Sequence, residues 1–559
     1  MTLSQENPIS SKDFESLLSD PWLQLPTNNS VRVVWFTEFP GDSHQVIYGD
    51  KLEQKVAANT TKLTRVREDG DSEINATFTQ PKLRNIWRHE AIVTDLIPNR
   101  RIPYLVSSSY NGKTIKSRTF TFSSNPKSGT PLKILLTSDH QLMPMTAANL
   151  QQVVATIDRV DGVFLAGDLV NVPDRASEWF DDNRGGAFFP CLQGRANYEL
   201  EKNGVKTVYH GGEIIQHAPL FSAIGNHEVM GRFSGEKPLK QQFGDPIPQD
   251  VAEEFYQQVK ATVNPNDDPK IKATWIKNNS FNTDTYEEIF SEGKQYYAVT
   301  FGDIRLIVLY VTNVWRSPSL DPDVKGRYQE KTADLDNPEA WGYGQHIFKS
   351  IAQGSPQYNW LAAELQSKEF QQAKYKIVMF HHPPHTLGGN IVPAYTDPQP
   401  QMVYGEDGKL LSRRYEYPLA EDYIMRDVIP LLESAGVQLV YYGHSHLWNR
   451  FVSSSGMHFL ESSNVGNTYG AHLADNPRPI PQNNEQGNYV AVGNPNGLEP
   501  IIPTIEPLTD EAGIPLPYIA SNDITVFSIL DTETGTITSY RYDTRQPDIR
   551  AIAFDRFEL

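Results

Sequence analysis

The chain has 559 residues, of which 39% are hydrophobic, 11% aromatic and 21% charged, with a formal charge of −18 and a single cysteine, Cys191. Such a length predicts two to four domains or one large domain with an appendage, and the composition is that of a soluble globular chain. The negative charge counts against a nucleic-acid polymer or an anionic membrane as partner. One thiol excludes an intramolecular disulfide and a thiolate zinc site, so any metal must take His, Asp, Glu or amide ligands.

Residues 1–26 are polar apart from the short amphipathic FESLL, and read as an N-terminal extension, a short helix or arm. They contain no basic segment followed by an apolar one, and no run of about 18 apolar residues occurs anywhere in the chain. A cytoplasmic location is therefore expected, and the Asn-x-Ser/Thr triplets at Asn28, Asn59, Asn75 and Asn278 are taken as accidental.

From 27 to 127 the texture is β: SVRVVWFTE, HQVIYG, HEAIVTDLIPN, RIPYLVSSSYNG and SRTFTFSS succeed one another at short spacing with turn residues between. This predicts an all-β sandwich, closed by the linker-like SSNPKSGTP at 123–131.

The segment 128–559 reads as α/β. Apolar runs recur as KILLTS, GVFLAG, APLFSAIG, RLIVLYV, YKIVMF and VQLVYYG, and helical patterns precede the last two. Residues 229–293 form a polar insertion with a helix expected at QDVAEEFYQQVKATV. Residues 473–520 read as a long loop or cover, and NDITVFSILDTETGTITSYRYDT as a C-terminal hairpin.

The residues just past each apolar run carry the chemistry. The first run ends in Ser138-Asp139-His140-Gln141, the second in Gly167-Asp168, the third in Gly225-Asn226-His227-Glu228, the fifth in His381-His382-Pro383-Pro384-His385 and the last in Gly443-His444-Ser445-His446. In open α/β sheets ligands bind outside the carboxyl ends of the strands, so these five ends are expected to converge. They hold seven of the 14 histidines. Convergence predicts a polynuclear site in which a carboxylate such as Asp168 bridges two cations. Imidazole and oxygen donors without thiolate suit Zn, Mn or Fe. The glycines before Asp168, Asn226 and His444 are expected to supply unusual backbone angles.

In that order these motifs resemble the calcineurin-like metallophosphoesterase superfamily, and the preceding sandwich resembles the fibronectin-III-like domain of the purple acid phosphatase branch. The resemblance implies a pair of packed β-sheets flanked by helices. It assigns Asp139, Asp168 and His446 to one metal and Asp168, Asn226, His381 and His444 to the other. Two departures stand out: Gln141 occupies a position usually held by His or Gly, and Asn171 the position of the tyrosine that ligates ferric iron. No purple colour and no tyrosinate-bound ferric iron are expected. An amide oxygen of Gln141 or Asn171, or water, completes the first site, and two divalent ions are expected.

The expected reaction is hydrolysis of a small phosphate ester, monoester or diester including nucleotides, by a metal-activated hydroxide. His227 is the candidate to stabilise the transition state or protonate the leaving oxygen. His140, His382 and His385 are candidates to touch substrate or to orient a ligand from behind. The alternative is a noncatalytic metal- or phosphate-binding pseudo-enzyme that uses its sandwich for interaction. Oligomeric state is not readable from these residues.

Overall fold

Continuous apolar runs such as KILLT and LVYY demand a strand buried on both faces, and two stacked sheets covered by helices meet that demand. The computed structural model describes residues 16–290, 294–316, 325–389, 394–481 and 488–559. Most of the expected N-terminal arm, and residues 291–293 of the insertion and 482–487 of the cover, lie outside the described residues.

One sheet has six strands. Leu220–Ser222, Gly162–Leu165 and Lys133–Thr137 run parallel, and Ile524–Asp531, Thr536–Asp543 and Ile552–Glu558 extend the sheet antiparallel. The expected hairpin thus forms, with Asp531 opposite Thr536, and adds a third strand. The second sheet has seven strands, with Ile304–Val308, Tyr375–Met379, Leu439–Tyr442 and His458–Ser462 parallel at its centre.

Period-two alternation sorts the side chains. Ile134, Leu136, Phe164, Ile377, Met379, Leu439 and Tyr441 meet between the sheets, whereas Leu135, Val163 and Leu165 face the outer layer of the first sheet. Val378, Val440 and Tyr442 face the outer layer of the second, together with Leu361, Phe370 and Leu432 from the helices Pro356–Glu364, Lys368–Gln372 and Ile429–Ser434. In the insertion, the helix Gln249–Val263 coincides with the expected segment.

The amino-terminal part is two antiparallel sheets face to face, and its first strand, Trp22–Thr27, already precedes residue 27, where the alternating texture of the sequence begins. In Ser30–Thr37 both faces are buried for different reasons. Val31, Val33 and Trp35 fill the sandwich, and Val34 and Phe36 pack against the α/β part. Buried ion pairs reinforce that junction: Arg67 to Asp174 at 2.6 Å and Arg175 to Asp69 at 3.1 Å. Among the described residues no helix is long and apolar enough to cross a membrane.

Arg175 also pairs with Glu178 at 2.8 Å, and all three side chains are at most 8% exposed. Its loss would strand two buried carboxylates, so Arg175→Met is expected to lower the free energy of urea unfolding by about 3–5 kcal/mol. A loss below about 1 kcal/mol, the range of a solvated pair, would contradict this account of the junction.

Candidate metal centre

Because the central strands of each sheet are parallel, their carboxyl ends share one edge, and backbone bonds tie neighbouring loops within each sheet. The Asp139 amide donates to Gly167 O at 3.1 Å, and the Gly443 amide to His381 O at 3.0 Å. Across the sheets the His444 amide donates to both carboxylate oxygens of Asp139, at 3.1 and 2.9 Å.

Asp168, 2% exposed, lies at the middle of the cluster. Its Oδ2 is 3.0 Å from His381 Nε2 and accepts from Gln141 Nε2 at 3.3 Å, while Oδ1 accepts the His227 amide at 2.9 Å. His444 Nδ1 is 3.2 Å from His381 Nε2, so Asp168, His381 and His444 present ligand atoms within 4.8 Å of one another. His446 Nε2 approaches Asp139 Oδ1 at 3.4 Å. The remaining nitrogens fix the ring orientations: His381 Nδ1 is bonded to Ala166 O at 2.8 Å and His446 Nδ1 to Asn467 O at 3.0 Å, which leaves Nε2 of each ring for the site.

Burial works against charge on Asp168 and His381, but each holds the other ionised. The Asp168 carboxyl stays well below the usual carboxylate range because of the His381 and His227 rings, and Asp168 lifts His381 to about 10. Positive charge is favoured at this spot, and a cation would supply it. Two buried acceptors point the same way: Asn226 Oδ1 and Gln141 Oε1 have no hydrogen-bond partner among the described residues. Carboxylates, imidazoles and orphaned amide oxygens make a donor set suited to divalent cations.

The backbone geometry differs from the expectation in an instructive way. Only Gly167, of the three glycines, has positive φ (97°). The left-handed conformation falls instead on the side chains that carry the chemistry, Asp139 (58°), Asp168 (55°), His444 (84°) and His446 (53°). Gly225 and Gly443 serve close approach: a Cβ on Gly225 would stand 2.2 Å from Asp168 Oδ1, and one on Gly443 2.2 Å from Asp139 Oδ2.

The other candidates spread out. His227 is half-buried at the rim, and its Nδ1 is tied to Asn171 O at 2.7 Å. Asn171 Nδ2 donates to Gln141 O at 2.7 Å, so its amide braces Gln141. His140 turns to Thr137 Oγ1 at 2.9 Å and the Phe188 ring, with burial lowering it to about 4. His382 packs among Trp315, Phe348 and Tyr395, and its ring centroid is 4.2 Å from that of His444. His385 Nδ1 lies 2.9 Å from Asn494 Nδ2, between Phe451 and Phe459, and burial pushes this ring down to about 3.

Two buried carboxylates that the motif reading gave no role hold the loops from behind. Glu228 accepts the amides of Asp168, Leu169 and Gly225 at 2.7–2.9 Å. Glu461, fully buried, accepts the Ser445 amide at 2.7 Å between the two histidines of the last motif, and Asn449 Nδ2 at 3.2 Å. A carboxylate at the end of the apolar run MHFLE was the available signal. Glu461→Ala is expected to weaken divalent-metal affinity by about 10–100-fold in a metal titration, since it frees the His444–His446 turn. Unchanged affinity would remove Glu461 from the support of the site.

A family profile for calcineurin-like phosphoesterases matches residues 132–447. Among solved structures, the purple acid phosphatase PPD1 isolated from yellow lupin (Lupinus luteus) seeds aligns with 96% of this chain and 73% of its own at 14% identity and a TM-score of 0.51, a likeness of fold. A Br derivative of BhCBM56 aligns with 19% of this chain and 92% of its own at 16% identity and a TM-score of 0.12, on which nothing rests. No curated protein matches the chain. The profile spans every strand end described above, from Asp139 to His446, and the chain belongs to the calcineurin-like phosphoesterase family.

Proposed function

We propose that this chain hydrolyses small phosphate esters at a binuclear centre, beyond the general metal-dependent phosphoester hydrolysis that family membership gives it. The observation that carries the reading is the cluster of Asp168, His381 and His444 beside orphaned Asn226 Oδ1 and Gln141 Oε1. Asp139, Asp168 and His446 would hold one divalent ion, and Asp168, Asn226, His381 and His444 the other, Zn, Mn or Fe on the chemistry of the donors. Such a pair supplies Lewis acidity: it acidifies water and neutralises phosphoryl charge. Gln141, which faces Asp168 and is braced by Asn171, is the better placed amide to add an oxygen by a half-turn about its terminal torsion.

The protein's own groups orient and move protons. His227 keeps Nδ1 on the Asn171 carbonyl and presents Nε2 at the rim, where it can give a proton to the departing oxygen. Burial lowers its basicity, and the Asp168 carboxylate beside it works in the opposite direction. The region 27–127 acts as a fibronectin-III-like module packed through Val34 and Phe36 against the catalytic region 128–559.

Hydrolysis of an aryl phosphate is expected to vanish on chelation and to return with a divalent ion. His227→Ala is expected to lower kcat by about 10²–10⁴-fold with bound metal unchanged. Turnover that survives exhaustive chelation would sink the reading, and an unaltered pH–rate profile in His227→Ala would remove that histidine from it.

A further inference from the structure

The strands Thr312–Trp315 and His346–Phe348 pair with Trp315 opposite His346. The Trp315 ring stands edge-on to His444 at 4.6 Å between centroids and lies 5.2 Å from His346. One indole therefore separates a candidate metal ligand from a histidine that the metal centre does not use.

That histidine is fully buried, yet among the described residues neither of its ring nitrogens has a hydrogen-bond partner. The same holds for Trp315 Nε1 and for Nε of Arg327. Arg316, 5% exposed, spends its guanidinium on carbonyls, chiefly Phe243 O at 2.6 Å, with Asn226 O at 3.5 Å. Among the described residues no carboxylate pairs with Arg316 or Arg327. Burial lowers both guanidiniums, the charge of Arg327 lowers Arg316 further, and burial together with these two charges depresses His346.

Buried donors without partners and cations without a carboxylate are costly, and an anion is the ligand that would accept from the Trp315 indole N–H, the Arg327 guanidinium and the single N–H of a neutral His346. The corner adjoins the metal centre, and Tyr328, 5.3 Å from His346, gives it an aromatic wall. Arg327 is only partly buried.

We propose that Trp315, Arg327 and His346 form a subsite for a second phosphoryl group, so that the favoured substrates carry two linked phosphates, as a nucleoside diphosphate does. The inference rests on the reading of the neighbouring cluster as the place where the attacked phosphoryl group binds. There, water oxygen bonds to the terminal phosphorus and the bridging P–O bond breaks, its electron pair leaving with the nucleoside monophosphate. One proton of the water stays on the released phosphate, and the other passes to solvent.

The test compares wild type with Arg327→Gln, His346→Gln and Arg327→Lys at equal metal content. It reads kcat/KM for ADP over AMP, and calorimetric affinity for inorganic pyrophosphate over inorganic phosphate. Wild type is expected to favour ADP and pyrophosphate by at least about tenfold, the equivalent of one added charge-assisted contact. Both ratios should fall toward one in Arg327→Gln and in His346→Gln, and be partly kept by Arg327→Lys. Ratios equal to wild type in both glutamine variants would overturn the subsite. Loss of the pyrophosphate preference in a chain that hydrolyses neither nucleotide would support the subsite and overturn the proposed function.

Discussion

A carboxylate sealed from water must find positive charge or hydrogen-bond donors, and Asp168 is where this protein meets that constraint. Three elements answer it: His381 from the second sheet, the His227 amide from the turn after Leu220–Ser222, and Gln141 from the end of Lys133–Thr137. None is near Asp168 in sequence, so the register of both sheets and their stacking are what bring the compensation to it. Glu228 completes the arrangement by accepting the Asp168 amide, a second buried acid used as a template for the turn. The strained backbone at Asp139, Asp168, His444 and His446 is held by the same bonds, and carbonyls and carboxylates of neighbouring strands pin each loop.

Two sides of His444 have opposite chemistry. Toward Asp168 lie carboxylates and the unpaired amide oxygens of Asn226 and Gln141, groups that attract cations. Toward Trp315 lie the indole N–H, the His346 ring with its one N–H and the cation of Arg327, groups that attract anions. On the proposed reading, acceptors on one side would hold metal and donors on the other a charged group linked to the phosphate it binds. Specificity would then come from strands and loops that family membership does not fix, chiefly Thr312–Trp315 and His346–Phe348.

The strand ends are legible in the sequence because a buried parallel strand is a continuous apolar run, and the polar residues just beyond it must sit at the sheet edge. Asp139, Asp168, Asn226, His381, His444 and His446 all stand out on that ground. The sandwich is legible from alternation, although Val34 and Phe36 face the α/β part, a distinction invisible until that surface exists. The glycines mislead: Gly225 and Gly443 matter for the volume a side chain would occupy rather than for their backbone angles, and that volume is set by contacts far away in the chain. Glu461 and His346 are hidden for a related reason. Their environments are set by the turn Gly443–His446 and by Trp315, and His346 in particular reads as an ordinary structural histidine when taken alone.

Anomalous diffraction from crystals grown with manganese or zinc addresses the shared carboxylate most directly. The account predicts two peaks per chain about 3.5–4 Å apart, with Asp168 between them, one near Asp139 and His446 and the other near Asn226, His381 and His444. A single peak under saturating metal, or two peaks that do not share Asp168, would contradict it.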